Sequence, residues 1–171
     1  MAKLRSLSTS SLSSAKGKII SLPERKPNIL VLHGPNLNLL GNREPSLYGT
    51  QTLEQINMAM QKRAHIWGAM IECFQSNAES ELINHIQTAR NRFQGIVLNA
   101  AAYTHTSIAL RDALEASGLP TIEVHLSNIY RRESFRHISY TAAICIGQIC
   151  GLGPVGYELA IEAMIRTISR T

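Results

Sequence analysis

Four short apolar runs in this chain are each followed by polar side chains able to bind ligands or move protons. The first leads into His33, Asn36, Asn38, Arg43 and Tyr48, and the second into Gln75, Ser76 and Asn77. The third leads into Asn99, Tyr103, Thr104 and His105, and the fourth into His125, Ser127 and Asn128, with Arg132 and Arg136 close behind. These types suit general acid and base catalysis on a small polar substrate. Imidazole titrates near neutrality, so His125 is suited to protonating a leaving hydroxyl. A phenol with an ordinary pKa of about 10 is a poor base unless a cation favours the phenolate. Arg43 lies close enough to Tyr48 on one loop to do so. Asn36 can hold a water or donate to an enolate oxygen, while Arg136, His105 and the Leu126–Ser127 segment supply donors for carboxylate and hydroxyl groups. From residue types alone, a non-catalytic module that binds a small anion on the same rim competes with this reading.

Other chemistries find little support. The chain has no Walker A sequence, no G-x-S-x-G nucleophile elbow and no H-E-x-x-H pair. Gly151-Leu-Gly153-Pro-Val-Gly156 matches the dinucleotide fingerprint G-x-G-x-x-G. It follows the last expected strand, however, and no later strand offers an acidic residue to a ribose, so it reads as a tight strand-to-helix turn. Cys73, Cys145 and Cys150 are odd in number and lack metal-ligand spacing, which implies reduced thiols, no disulfide framework and no zinc site. His65 and His85 fall on helices and are assigned no role.

The elements that must position these groups alternate between two periodicities. Ile29–His33, Met70–Phe74, Ile96–Asn99, Thr121–Leu126 and Ala143–Ile149 are mostly continuous apolar runs, as expected of strands buried on both faces of a parallel sheet. Between them lie helical patterns. One starts at Thr52, with a Thr52/Gln55 capping box, carries Leu53, Ile56, Met60, Ala64 and Trp67 on one face, and ends at Gly68. Others are expected at Glu79–Arg92, Thr106–Ser117 and Val155–Ser169. Repeated βα units imply an α/β single domain, a doubly wound five-stranded parallel sheet of flavodoxin-like order 2-1-3-4-5. Such sheets bind ligands at the carboxyl ends of their strands, where nearly all the groups above fall. The loop from Gly34 to Gln51 is unusually long for a compact domain. Its own composition suits a turn-rich connection as well as a lid, and its place opposite His105 and His125 favours the lid.

Composition sets the limits. The 171 residues are 44% hydrophobic, enough for one substantial core, and no apolar run is long enough to span a bilayer. The net charge of +5 sits entirely in residues 1–27, which leaves 11 basic and 11 acidic residues in the remainder. That basic, serine-rich stretch is expected to be a disordered tail, with residues 28–171 forming the catalytic domain. Its charge has no aromatic platform to suggest nucleic acid binding. A cytoplasmic protein is expected, with an organelle transit peptide as the alternative reading of the tail.

Several separated stretches resemble one family, type II 3-dehydroquinate dehydratase. They are L-H-G-P-N-L-N-L-L-G-x-R-E-P-x-x-Y-G from Leu32, F-Q-S-N from Phe74, N-A-A-A-Y-T-H-T-S from Asn99, I-E-V-H-L-S-N from Ile122, R-E-S-F-R from Arg132 and I-C-G-L-G-x-x-G-Y-E-L-A from Ile149. The resemblance covers about residues 28 to 168. It implies anti elimination of water from 3-dehydroquinate to 3-dehydroshikimate through an enolate, without metal, cofactor or Schiff base. The same chemistry serves the shikimate pathway to aromatic amino acids or quinate breakdown. By motif position, Tyr48 resembles the base that takes the carbon 2 proton, and Arg43 the lid arginine that stabilises the phenolate. Asn36 resembles the group that supports the enolate with water, and His125 the acid that protonates the carbon 1 hydroxyl, oriented by Asn99. The substrate carboxylate is expected at the backbone of Leu126 and at Ser127, and the ring hydroxyls at Arg136 and His105. Asp112 resembles a residue that reaches the site from a neighbouring subunit, in a dodecamer built from trimers. Ala100 departs from the family's usual proline, so looser backbone around Asn99 and His105 is expected.

Overall fold

The structure, a computed structural model, describes residues 26–42 and 50–169. The Arg43 and Tyr48 expectations, and those for residues 1–25, lie outside the described residues. Five parallel strands are joined in the order β2-β1-β3-β4-β5: β1 (Asn28–His33), β2 (Met70–Gln75), β3 (Gly95–Asn99), β4 (Thr121–His125) and β5 (Gly147–Cys150). Four helices connect or follow them: α1 (Leu53–Ile66), α2 (Glu79–Ala89), α3 (Ile108–Ser117) and α4 (Val155–Ile168). The flavodoxin-like order expected from the alternating pattern is the one observed. No helix among the described residues is long and apolar enough to cross a membrane.

The two-residue period of a strand divides the core in two. Ile29 and Val31 of β1, Val97 of β3, and Ile122 and Val124 of β4 pack with Ile56 and Met60 of α1 and Tyr157, Ile161 and Met164 of α4. Leu30, Leu32, Ile96 and Leu98 pack on the opposite face with Leu82 and Ile86 of α2 and Leu110 and Leu114 of α3. Complete burial of an Ile or Leu contributes about 1.5–3 kcal/mol. The sheet is thus clamped from both faces, and its strand ends form a rigid rim.

Helix entry follows local chemistry. Thr52 Oγ1 accepts the Gln55 N–H at 3.2 Å while the Gln55 side chain accepts the Thr52 N–H at 3.0 Å, the reciprocal cap expected from these two residues. Ser107 caps α3 by accepting the Leu110 N–H at 2.8 Å, so that helix starts two residues later than its periodicity suggests.

The largest boundary difference is at β5, which begins at Gly147 rather than Ala143. Ala142–Ile144 form a 3-10 turn instead. Ser139 Oγ accepts the Ala142 N–H at 2.9 Å and Thr141 donates to buried Glu123, and these ties outweigh the strand preference of the apolar run.

At the rim, β1 and β3 exit side by side, with His33 opposite Asn99 in register and the Gly34 N–H donating to the Asn99 carbonyl at 2.7 Å. A Cβ on Gly34 would lie 2.4 Å from the Ala100 carbonyl oxygen, so this approach requires glycine. Gly34→Ala is expected to destabilise the fold by about 1–3 kcal/mol. Thermal unfolding checks it, and a midpoint matching the parent protein's would show that the two exits spread at little cost.

Candidate active site

A cleft opens at the carboxyl ends of β1, β3 and β4, the crevice where the strand order reverses. Asn36, Asn99, His105, His125, Leu126, Ser127, Arg132 and Arg136 all line it. Seven of these were expected at the site from sequence by role; Arg132 was noted on the rim without one. Asp112 is not among them. It is exposed on α3, away from the cleft of its own chain.

Asn36 follows β1 in the left-handed region at φ 65°, which asparagine tolerates better than most residues. The turn is held from β2's exit: the Asn36 N–H donates to Asn77 Oδ1 at 2.9 Å, and Gln75 Nε2 donates to the same oxygen at 3.1 Å. Tyr103 Oη donates to the Asn77 carbonyl at 2.7 Å, linking this turn to the segment after β3. That segment is anchored as well. The Ala101 N–H donates to Asn99 Oδ1 at 3.1 Å, and Ala100 is buried with φ −71°, a value proline itself adopts.

His125 has one ring nitrogen committed. Nε2 lies 2.8 Å from Glu123 Oε1, and both side chains are almost fully buried. Two residues apart on β4, they share one face of the sheet. Glu123 also accepts Ser139 Oγ at 2.9 Å, Gln148 Nε2 at 2.6 Å and the Thr141 hydroxyl. Burial pushes its carboxyl upward, but the hydrogen bonds from His125, Thr141 and Gln148 outweigh that and hold it below the usual carboxylate range. Glu123 is therefore ionised and orients His125, a role sequence reasoning had given to Asn99. Asn99 instead faces the α1/α4 layer, where its Nδ2 donates to Tyr157 Oη at 2.9 Å. The signal that could have found Glu123 is the i, i+2 spacing of an acid and a histidine at a strand end.

His105 stacks against His125, with ring centroids 6.4 Å apart and an interplanar angle of 14°. Its Nδ1 donates to the Ile138 carbonyl at 2.7 Å, which leaves Nε2 as an acceptor. Burial, together with the charges at His125 and Arg136, keeps its pKa below the ordinary imidazole value despite the Ile138 carbonyl. Arg136 Nε donates to Glu133 Oε2 at 2.8 Å, and Arg132 Nη1 reaches Ser127 Oγ at 3.4 Å. The rim thus combines a carboxylate-backed imidazole, a neutral imidazole, two amides and two guanidinium groups around one space.

His33, the third strand-end histidine, does not share this crevice. It points into the core and is completely buried, with Nδ1 3.0 Å from Tyr157 Oη and Nε2 2.9 Å from Asn57 Oδ1. The glycine-rich segment after β5 proves to be the tight strand-to-helix turn expected of it. The Gly151 and Gly153 N–H groups donate to the carbonyls of His125 and Leu126, at 3.2 and 2.9 Å, and so brace the β4 rim.

A family model described as dehydroquinase class II matches residues 27–165. The chain belongs to that family. Among the relatives of this dehydroquinase is a 3-dehydroquinate dehydratase of Geotalea daltonii, 56% identical over 142 residues that make up 83% of this chain and 99% of that protein. Another, from Acaryochloris marina, is 57% identical over 140 residues, 82% of this chain and 94% of that one. A crystal structure of type II dehydroquinase from Propionibacterium acnes superposes with a TM-score of 0.80 at 41% identity, covering 82% of this chain and 97% of that one. As a class II dehydroquinase the chain is an enzyme, and its cleft is the candidate active site.

The buried histidine makes the stability of this dehydroquinase pH-dependent. Desolvation lowers His33 from 6.5 to about 4, against a smaller opposing effect of Asn57. Between those values the unfolded chain binds a proton that native His33 refuses, so the stability this group contributes above pH 6.5 is lost as the pH falls toward 4. The span is about 3 kcal/mol. Urea unfolding at pH 7 and pH 4.5 is expected to show a steeper loss for the parent chain than for His33→Gln. Equal losses would remove His33 from the acid response.

Proposed function

We propose that the chain removes water from 3-dehydroquinate to give 3-dehydroshikimate, by the acid and base steps that the cleft chemistry favours. The observation that carries this reading is His125, set against ionised Glu123 in the cleft of a class II dehydroquinase. Tyr48, by its place in the motif, takes the proton from carbon 2, with Arg43 favouring the phenolate. The electron pair moves to the carbon 3 carbonyl and forms an enolate, which Asn36 supports through water. Collapse of the enolate expels the carbon 1 hydroxyl, and His125 supplies the proton that makes it water. With Nε2 committed to Glu123, Nδ1 is the nitrogen left to donate. Glu123 offsets the positive charge His125 carries while it holds that proton.

Substrate binding follows the donors and acceptors of the rim. The backbone at Leu126 and the Ser127 side chain take the carboxylate. Arg136 donates to a ring hydroxyl, while the free Nε2 of neutral His105 accepts a hydroxyl proton. Asp112 is proposed to act at the cleft of a neighbouring copy, in a dodecamer assembled from trimers, and the mass of the purified assembly tests this.

The ultraviolet absorbance of the conjugated product is the direct assay, and its absence from folded, assembled protein would refute the reading. Tyr48→Phe is expected to abolish turnover while keeping affinity for a substrate analogue, since it deletes a proton acceptor and little packing. Joint loss of binding and turnover would instead make Tyr48 a structural residue. Glu123→Gln is expected to lower kcat by about a hundredfold. Borohydride with substrate is expected to add no mass to the protein, because Lys62 is exposed on α1 and no lysine among the described residues lines the cleft. A trapped adduct would require the Schiff-base mechanism.

A further inference from the structure

Asn99 is the cleft end of a chain of hydrogen bonds that runs through the interior of the α1/α4 layer. It passes from Asn99 to Tyr157 on α4, then to His33 at the end of β1, then to Asn57 on α1. Asn99, Tyr157 and His33 are all buried, and none of Tyr157, His33 or Asn57 lines the cleft. Side chains so placed contribute nothing to catalysis by contact, and buried polar groups are unfavourable unless every one is satisfied.

With Asn57 Oδ1 turned to the His33 ring, the protons in this chain have one consistent arrangement. The Ala101 backbone N–H can only donate, so the Asn99 atom 3.1 Å from it is Oδ1. Nδ2 therefore faces Tyr157 and donates to Oη at 2.9 Å. Tyr157 Oη then donates to His33 Nδ1 at 3.0 Å, and the ring proton sits on Nε2, where Asn57 Oδ1 accepts it at 2.9 Å. Flipping the Asn99 amide would set Nδ2 against the Ala101 N–H, two donors facing each other in a buried place.

We propose that Tyr157, with His33 and Asn57 behind it, is a positioning residue that locks the Asn99 amide and presents its remaining N–H to the cleft as a fixed donor for a substrate oxygen. The proposal rests on the dehydratase reading of the cleft. Burial supports it, since it keeps His33 neutral at working pH and so preserves the acceptor that Tyr157 needs. An unlocked amide would divide its time between offering a donor and offering an acceptor. Pre-organised donors are worth most where a site is dry, and substrate and transition state would both lose by the disorder.

A role confined to packing predicts something different, so the test is a double-mutant cycle on the full chain. Steady-state kinetics are measured for Tyr157→Phe, Asn99→Ala and the double variant, at a temperature where circular dichroism and assembly size match the parent protein. Tyr157→Phe is expected to lower kcat/KM at least tenfold on its own and by less than twofold in the Asn99→Ala background. Activity within twofold of the parent protein, or the same tenfold loss in both backgrounds, would overturn the proposal. If Tyr157→Phe does not fold, Asn57→Ala replaces it, at a half-buried helix position where alanine is well tolerated. Its expected loss is threefold or more, again vanishing with Asn99→Ala, and equal losses in both backgrounds count against the proposal.

Nitrogen-15 NMR of the His33 ring in the parent protein reads the proton order without any assay. A bare Nδ1 and a protonated Nε2 are expected, and the reverse tautomer breaks the chain as described. Lack of dehydratase activity in the parent protein would defeat the functional reading instead, and leave the tautomer result to stand or fall alone.

Discussion

The site depends on one constraint: parallel strands end together, and alternate residues at each end point to opposite layers. Register places His33 beside Asn99 and His125 beside Cys150 on one rim. Alternation then decides which layer holds each side chain. His33 and Asn99 turn toward α1 and α4, where Tyr157 and Asn57 meet them. His125 turns the other way, with Glu123 beneath it and Ser139 and Thr141 closing over the carboxylate. A shift of one residue in any strand would exchange these partners and leave a buried charge without them.

The three strand-end histidines show how one residue type acquires three roles. His33 is desolvated among apolar side chains and stays neutral, so it serves as a relay of fixed polarity in the core. His105 is half-exposed, stacks on His125 near Arg136 and keeps one nitrogen as an acceptor. His125 is set against a buried carboxylate that hydrogen bonds from His125 itself, Thr141 and Gln148 keep ionised. These roles come from burial and partners, not from nearness to a strand end.

Much of this was legible in the sequence because it is local. Continuous apolar runs and three- to four-residue spacing located the strands and helices, and Thr52 with Gln55 marked the start of α1. The glycine-rich segment from Gly151, read from sequence as a tight strand-to-helix turn, forms that turn. Errors arose where a long-range tie overrode a local preference. The run from Ala143 reads as strand, but Ser139 and Thr141, tied to Glu123, fold its first residues into a turn. Grouping all three histidines in one crevice failed for a related reason: proximity along the chain to a strand end does not say which way a side chain points.

By itself, then, the sequence determined the doubly wound sheet, the rim that carries the chemistry and the family to which the chain belongs. Each of these is encoded in periodicity, spacing or a contiguous motif. Only the tertiary structure decided that Glu123 rather than Asn99 orients His125, and that His33 serves the core. Those assignments depend on hydrogen bonds between positions as far apart as His33 and Tyr157, 124 residues along the chain. Such partners are chosen by strand register and helix packing, and these exist only once the layers have closed on one another.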